Sequence, residues 1–260
     1  MALIEYVALV ILGGLVLAWE AWSPGQAGAE PLTLLFWVLA NMLGEMLWLP
    51  APKQRGYLSM ANAANYATLI LLAPWDAVLV TALAGLMADF LFRKREWYRA
   101  LFNFGMCAVT VFLASLAFRT AGGTSLSVET LVSPLNAVPL LVAGVTYFLT
   151  NTMLVSGVVA LYRRQDVARV WRESFAFSYE LVGAVVLQLL GYLFAILFLT
   201  WGYMSAFLAV VATYFIRDAY FRYVSDMDAK AEASATEAVP SPAKVSGTAP
   251  ARPPDPRRLS

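Results

Sequence analysis

Residues Tyr179 to Thr200 read YELVGAVVLQLLGYLFAILFLT, an apolar run broken by one charge, Glu180, and one amide, Gln188. A helix needs about 20 mostly apolar residues to cross the hydrocarbon of a bilayer, and this stretch meets that length unaided. Runs of the same kind extend from Leu3 to Trp22, Leu32 to Leu49, Ala77 to Phe92, Ala100 to Phe118, Leu135 to Leu161 and Met204 to Tyr220. One further segment, Tyr57 to Trp75, is divided. Its first half, SMANAANY from Ser59 to Tyr66, is small and polar, and its second carries Leu69-Ile70-Leu71-Leu72. Such a segment either spans or enters as a broken element buried against its neighbours.

Composition places the whole chain in the same class. Of 260 residues, 60% are hydrophobic and only 13% charged, against roughly 25% charged in a soluble domain, and the mean hydropathy is +0.67. A net charge of +1 offers no field to draw nucleic acid. The chain has no histidine, which removes the commonest metal ligand and the default general base near neutral pH. Its single cysteine, Cys107, sits in an apolar run, so neither an internal disulfide nor a two-thiolate metal site is possible. The first apolar run carries Glu5 in place of a basic leader and ends without a small-residue cleavage site, which predicts a retained helix.

Lysine and arginine near span ends mark the cytoplasmic side. Lys53 and Arg55, then Arg93, Lys94, Arg95 and Arg99, then Arg163, Arg164, Arg169 and Arg172, and finally Arg217 and Arg222 fall on alternate connections. The connections between them carry no basic residue, except for Arg119 before the loop to Pro134. The alternation is consistent only if Tyr57 to Trp75 crosses. The sequence therefore predicts an all-α, polytopic transmembrane bundle of about eight spans over residues 1–224, with both termini cytoplasmic. From Ser225 the composition turns to Ala, Pro, Ser and Thr, with six prolines from Pro240 to Pro256, which predicts a disordered cytoplasmic tail over 225–260.

Small residues four apart let helices approach closely in lipid. Ala40 with Gly44, Ala84 with Ala88, Ser156 with Ala160 and Gly191 with Ala195 have that spacing and are read as packing within one chain.

An ionisable group in hydrocarbon costs at least about 2.5 kcal/mol, so each one inside a span is a candidate functional residue until a partner explains it. Glu45, Asp89 and Glu180 qualify, and the spans also contain the amides Asn41, one turn before Glu45, Asn62 and Asn65 in the divided segment, and Asn103 and Asn151. Two readings stand side by side. On the first, buried amides satisfy one another, Asp89 pairs with Arg93 or Lys94, and Asn103 and Asn151 tie helices together. On the second, Asn41, Glu45, Asn62, Asn65 and Tyr66 line a polar cavity for a small ligand or cation. No P-loop, dinucleotide glycine fingerprint, Cys-x-x-Cys pair or nucleophile–histidine arrangement occurs. The expectation is a protein that is not an enzyme and holds no metal or cofactor.

Several short signatures resemble the MASE-type integral-membrane sensor region found ahead of HD-GYP and GGDEF output domains in bacterial signalling proteins. They are Leu58-Ser59, Gly85-Leu86-Met87-Ala88-Asp89 before a basic loop, Leu101-Phe102-Asn103, Tyr147-Phe148-Leu149-Thr150-Asn151-Thr152 and Val170-Trp171-Arg172-Glu173. The resemblance runs from Leu58 to about Arg222. It implies a bacterial inner-membrane domain that passes a signal to a cytoplasmic enzyme. No GGDEF sequence or HD pair follows Tyr223, so the expectation is a stand-alone sensor acting on a separate cytoplasmic signalling enzyme. The chain is also similar to the substrate-binding subunits of energy-coupling-factor vitamin transporters. That likeness implies a smooth face of Ala82, Ala84 and Ala88 for a transporter coupling subunit, with the amides holding a substrate.

Overall fold

Proline and small residues divide the apolar runs into helices. Pro31 and Pro74 open two of them, where the missing amide hydrogen has no intrahelical partner in any case. The computed structural model describes residues 2–21, 28–50, 57–175 and 178–237. The helices are α1 (Ala2–Ala21), α2 (Pro31–Met46), α3 (Ala61–Leu71), α4 (Pro74–Leu91), α5 (Trp97–Thr120), α6 (Val128–Leu131), α7 (Ala137–Arg163), α8 (Val167–Phe175), α9 (Ser178–Trp201) and α10 (Ser205–Glu237). Between α2 and α3 a short ribbon pairs β1 (Trp48–Pro50) antiparallel with β2 (Tyr57–Ser59).

Among the described residues, five helical segments are long and apolar enough to cross a membrane: α1, α4, α5, α7 with the turn before it, and α9. Their outer faces are apolar. Ile4, Leu9, Leu12 and Val16 of α1, Leu141 and Val145 of α7, and Leu181, Val185 and Leu189 of α9 are all exposed, a belt far larger than a water-soluble monomer tolerates. The other expected spans take different forms. Leu32 to Leu49 contains the 16-residue α2, and Met204 to Tyr220 is the first part of α10.

Tyr57 to Trp75 does not form a full-length helix. Its polar half supplies β2 and the first turns of α3, which has only 11 residues and rises about 16 Å, half the hydrocarbon thickness. Nine of those residues are buried, because α3 is enclosed by α2, α4, α5 and α9. Its small side chains make that enclosure possible. A Cβ on Gly44 of α2 would lie 2.7 Å from the Ala61 Cα, and one on Gly191 of α9 would lie 3.0 Å from the Tyr66 Cβ. Elsewhere α5 packs against α1, α4 and α7. The Ala84, Ala88, Ser156 and Ala160 positions are buried inside the chain, in keeping with intramolecular packing.

The bundle has two ends of different character. At one, the α2 C-terminus meets the loop after α4 through Arg93 and Glu45. At the other, the Ala29 amide donates to Asp76 at 2.8 Å and Thr33 bonds Tyr203 at 2.9 Å. Ser125 of that second end donates to the Ile70 carbonyl at 2.7 Å. The expected boundary at residue 225 is not a structural one. The last helix continues to Glu237, since Met227, Ala229, Lys230, Ala231, Glu232 and Ala233 are helix formers and no proline intervenes before Pro240. The remainder of the predicted tail, 238–260, lies outside the described residues.

Candidate functional site

The ionisable residues come first, because their placement is the most expensive to arrange. Asp89, in the last turn of α4, is fully buried. The Arg93 guanidinium returns to it, donating through Nη1 to Oδ1 at 2.9 Å, and Arg95 approaches the same oxygen at 3.5 Å. Through Nη2, Arg93 also bonds the Glu45 carboxylate and, at 3.1 Å, the Glu45 carbonyl. Ser59 donates to the same carboxylate at 3.2 Å. Two acids and two guanidiniums thus form one neutral cluster that joins α2, β2 and α4.

Next to this cluster, α3 and α7 are joined by a buried relay. Asn65 donates to the Tyr147 hydroxyl at 3.1 Å, and that hydroxyl donates to Asn62 at 3.0 Å. Asn103, Cys107 and Thr110 occupy successive turns of α5, with Gly85 of α4 lying against the first two. From α7 come Asn151 and Thr152, and the Thr152 hydroxyl accepts a hydrogen bond from the Trp171 indole of α8 at 2.9 Å. That bond holds α8 across the end of the bundle.

These groups surround a cavity of about 250 Å³. Glu45, Ser59, Arg93 and Arg95 form its charged rim, and Asn62, Asn65, Asn103, Asn151, Tyr147, Thr110 and Thr152 form its polar wall. Met106, Cys107, Phe148, Phe175 of α8 and Ala184 of α9 complete it with less polar surface. Many of the polar groups are engaged with one another. The Thr110 hydroxyl is different: it is buried and has no hydrogen-bond partner among the described residues. The Asn103 and Asn151 amides line the cavity without making a side-chain hydrogen bond to any described group.

The predicted residues therefore separate. Glu45, Asn62, Asn65, Asn103 and Asn151 converge on the cavity. Asn41 does not line it; its amide donates to the Trp37 carbonyl at 2.8 Å and the Thr68 hydroxyl at 3.0 Å. Tyr66 does not line it either; its hydroxyl donates to the Leu140 carbonyl of α7 at 2.6 Å. Asp89 stands behind the rim, paired with Arg93 as the first of the two readings expects. Glu180 lies in the first turn of α9, with its side chain outside the described residues. Asn103 and Asn151 make no side-chain hydrogen bond between helices among the described residues. Arg93, Arg95, Tyr147 and Thr110 were not among the expected site residues, since basic loop residues mark topology and lone hydroxyls in apolar runs carry no signal.

The implied coupling face is also absent: Ala82, Ala84 and Ala88 are fully buried within the bundle and cannot meet another subunit. No curated protein and no solved structure matches the chain, so nothing supports the transporter likeness. A family model, MASE9, matches residues 62–225, which includes the cavity wall from Asn62 to Ala184. With well over half of its length matched, the chain belongs to the MASE9 family of membrane-associated sensor domains.

Proposed function

We propose that this chain is the membrane part of a bacterial signalling system and that the polar cavity is its input site. The observation that carries the reading is the cavity itself, a pocket of about 250 Å³, lined mostly from the family-matched region, whose Thr110 hydroxyl is buried without a hydrogen-bond partner among the described residues. Buried polar groups are ordinarily satisfied, and those left over within a concave site are where a small molecule finds its contacts.

In this reading the chain crosses the inner membrane eight times, with α3 as a short crossing, and both termini are cytoplasmic. The cavity then lies at the cytoplasmic end, beneath α8 and beside the Arg93–Arg95 loop. Occupancy shifts the packing of α4, α5 and α7, and α8 and α10 pass the shift to a cytoplasmic signalling enzyme. A response of that kind requires a differential binding free energy of about 1–3 kcal/mol between two arrangements. The protein performs no catalysis in this scheme.

The test is purification from native membranes in mild detergent after mild crosslinking, with mass-spectrometric identification of stoichiometric companions. A cyclic-dinucleotide or other signalling enzyme supports the sensor reading. A transporter ATPase with its coupling subunit overturns it.

A further inference from the structure

We infer that the cavity selects an uncharged molecule with hydrogen-bonding groups of the amide or hydroxyl type, held by Asn103, Asn151 and Thr110. This rests on the reading of the cavity as the input site. The argument is one of what remains available. Glu45 is engaged by Arg93 and Ser59, and Asp89 is held between Arg93 and Arg95. A cationic ligand would have to draw Glu45 out of that cluster. An anionic one would have to share Arg95, whose side chain is 39% exposed and whose Nε faces the fully buried Asp89 at 3.5 Å, and would stand beside two carboxylates in a cluster whose charges are already balanced. Breaking a buried ion pair leaves an uncompensated charge, which is strongly unfavourable.

The available groups are neutral. An asparagine amide both donates and accepts, and so does a threonine hydroxyl. A ligand of the same character satisfies them without moving a charge, while Met106, Phe148, Phe175 and Ala184 accommodate its apolar part. The volume, below the roughly 300–1,000 Å³ of drug-sized sites, fits a metabolite-sized molecule.

Cys107 makes this measurable. It is the only cysteine in the chain and lines the cavity between Asn103 and Thr110. The full-length protein in detergent is alkylated with iodoacetamide while butyramide, butyrate or butylammonium competes at equal ionic strength. Butyramide is expected to slow alkylation saturably, about tenfold at about ten times its half-protecting concentration, and the two ions are expected to have no such effect. Asn151→Leu should abolish the protection while Cys107 still reacts. Thr110→Val, which removes an unpartnered hydroxyl and leaves the packing intact, should weaken it in a protein at least as stable. Equal or better protection by either ion, protection by none of the three, or full protection in both variants overturns the selectivity. Where iodoacetamide, which needs the thiolate, does not react, methylmercury, which bonds the thiol sulfur with release of its proton, takes its place in the same competition; failure of both to reach Cys107 in the folded protein sinks the cavity as an accessible input site.

Discussion

Arg93 binds Glu45 twice, at the carboxylate and at the backbone carbonyl, across 48 positions of sequence. The same guanidinium holds Asp89 at 2.9 Å. One side chain, about 10% exposed, therefore compensates two buried acids and closes the exposed carbonyl end of α2. Arg93→Ala should destabilise the protein by about 3–5 kcal/mol, the usual result of stranding a buried charge. Arg93→Lys should fall between, because an ammonium cannot reproduce the planar fork that reaches three acceptors. Thermal unfolding in one detergent decides this; an unchanged midpoint for Arg93→Ala would remove the cluster from the account of stability.

The Asn65–Tyr147–Asn62 relay gives a second expectation. Tyr147→Phe keeps the ring and deletes the hydroxyl, leaving an amide hydrogen of Asn65 and the amide oxygen of Asn62 without their mutual partner. The expected loss is about 1–3 kcal/mol, reduced to the extent that cavity water replaces the hydroxyl. The same variant should change the rate of Cys107 alkylation, since Tyr147 and Cys107 line one cavity. A stability loss with no change in alkylation would confine the relay to a structural role.

The helical architecture was legible because long apolar runs admit few alternatives in a bilayer. The short α3 was legible in its composition, since Asn62, Ala63, Ala64 and Asn65 are too polar for lipid and small enough to be enclosed. The candidate site was legible in part, through the cost of amides and acids inside spans. Tyr66 shares a helical face with Asn62, one turn earlier, but its longer side chain carries the hydroxyl to the Leu140 carbonyl of α7, two turns from the Tyr147 that Asn65 reaches, and not into the cavity. Asn41 was drawn in by its one-turn spacing from Glu45, yet its amide nitrogen is turned to the Trp37 carbonyl and Thr68, away from the cavity. Arg93 shows the opposite error. Its position after a span marks topology equally well whether it is solvated or folded back onto Asp89.

Adjacent glycines on α1 offer a sharp contrast. A Cβ on Gly13 would make an ordinary 3.8 Å contact with Val109, whereas one on Gly14 would collide with the backbone of Gly105 on α5. Gly13→Ala should be neutral or slightly stabilising, as it removes backbone freedom at a helical site. Gly14→Ala should lower stability by about 1–3 kcal/mol, because the backbones must separate. Equal effects of the two substitutions would mean that α1 does not dock on α5 through this pair.

Arg119 is the single basic residue that breaks the alternation of charged and uncharged connections, and it stands alone where the other basic connections carry clusters. The guanidinium is folded back to donate to the Leu72 carbonyl at 2.7 Å, at the C-cap of α3, where a cation meets the unsatisfied carbonyls and the negative end of the helix dipole. It is fixed by that bond, while Arg163 and Arg164 at the other end are exposed. Topology signals act as clusters close to span ends, so the Arg93–Arg95 and Arg163–Arg164 groups should dominate. Reporter fusions after Arg95 and Arg164 should read cytoplasmic, and fusions within Gly122 to Ser127 should read external. Arg119→Gln should leave all three readings unchanged while lowering stability by about 1–3 kcal/mol through the lost charge-assisted bond. An external reading after Arg95 would reverse the orientation and place the cavity, with Asn103 and Asn151, at the outer face.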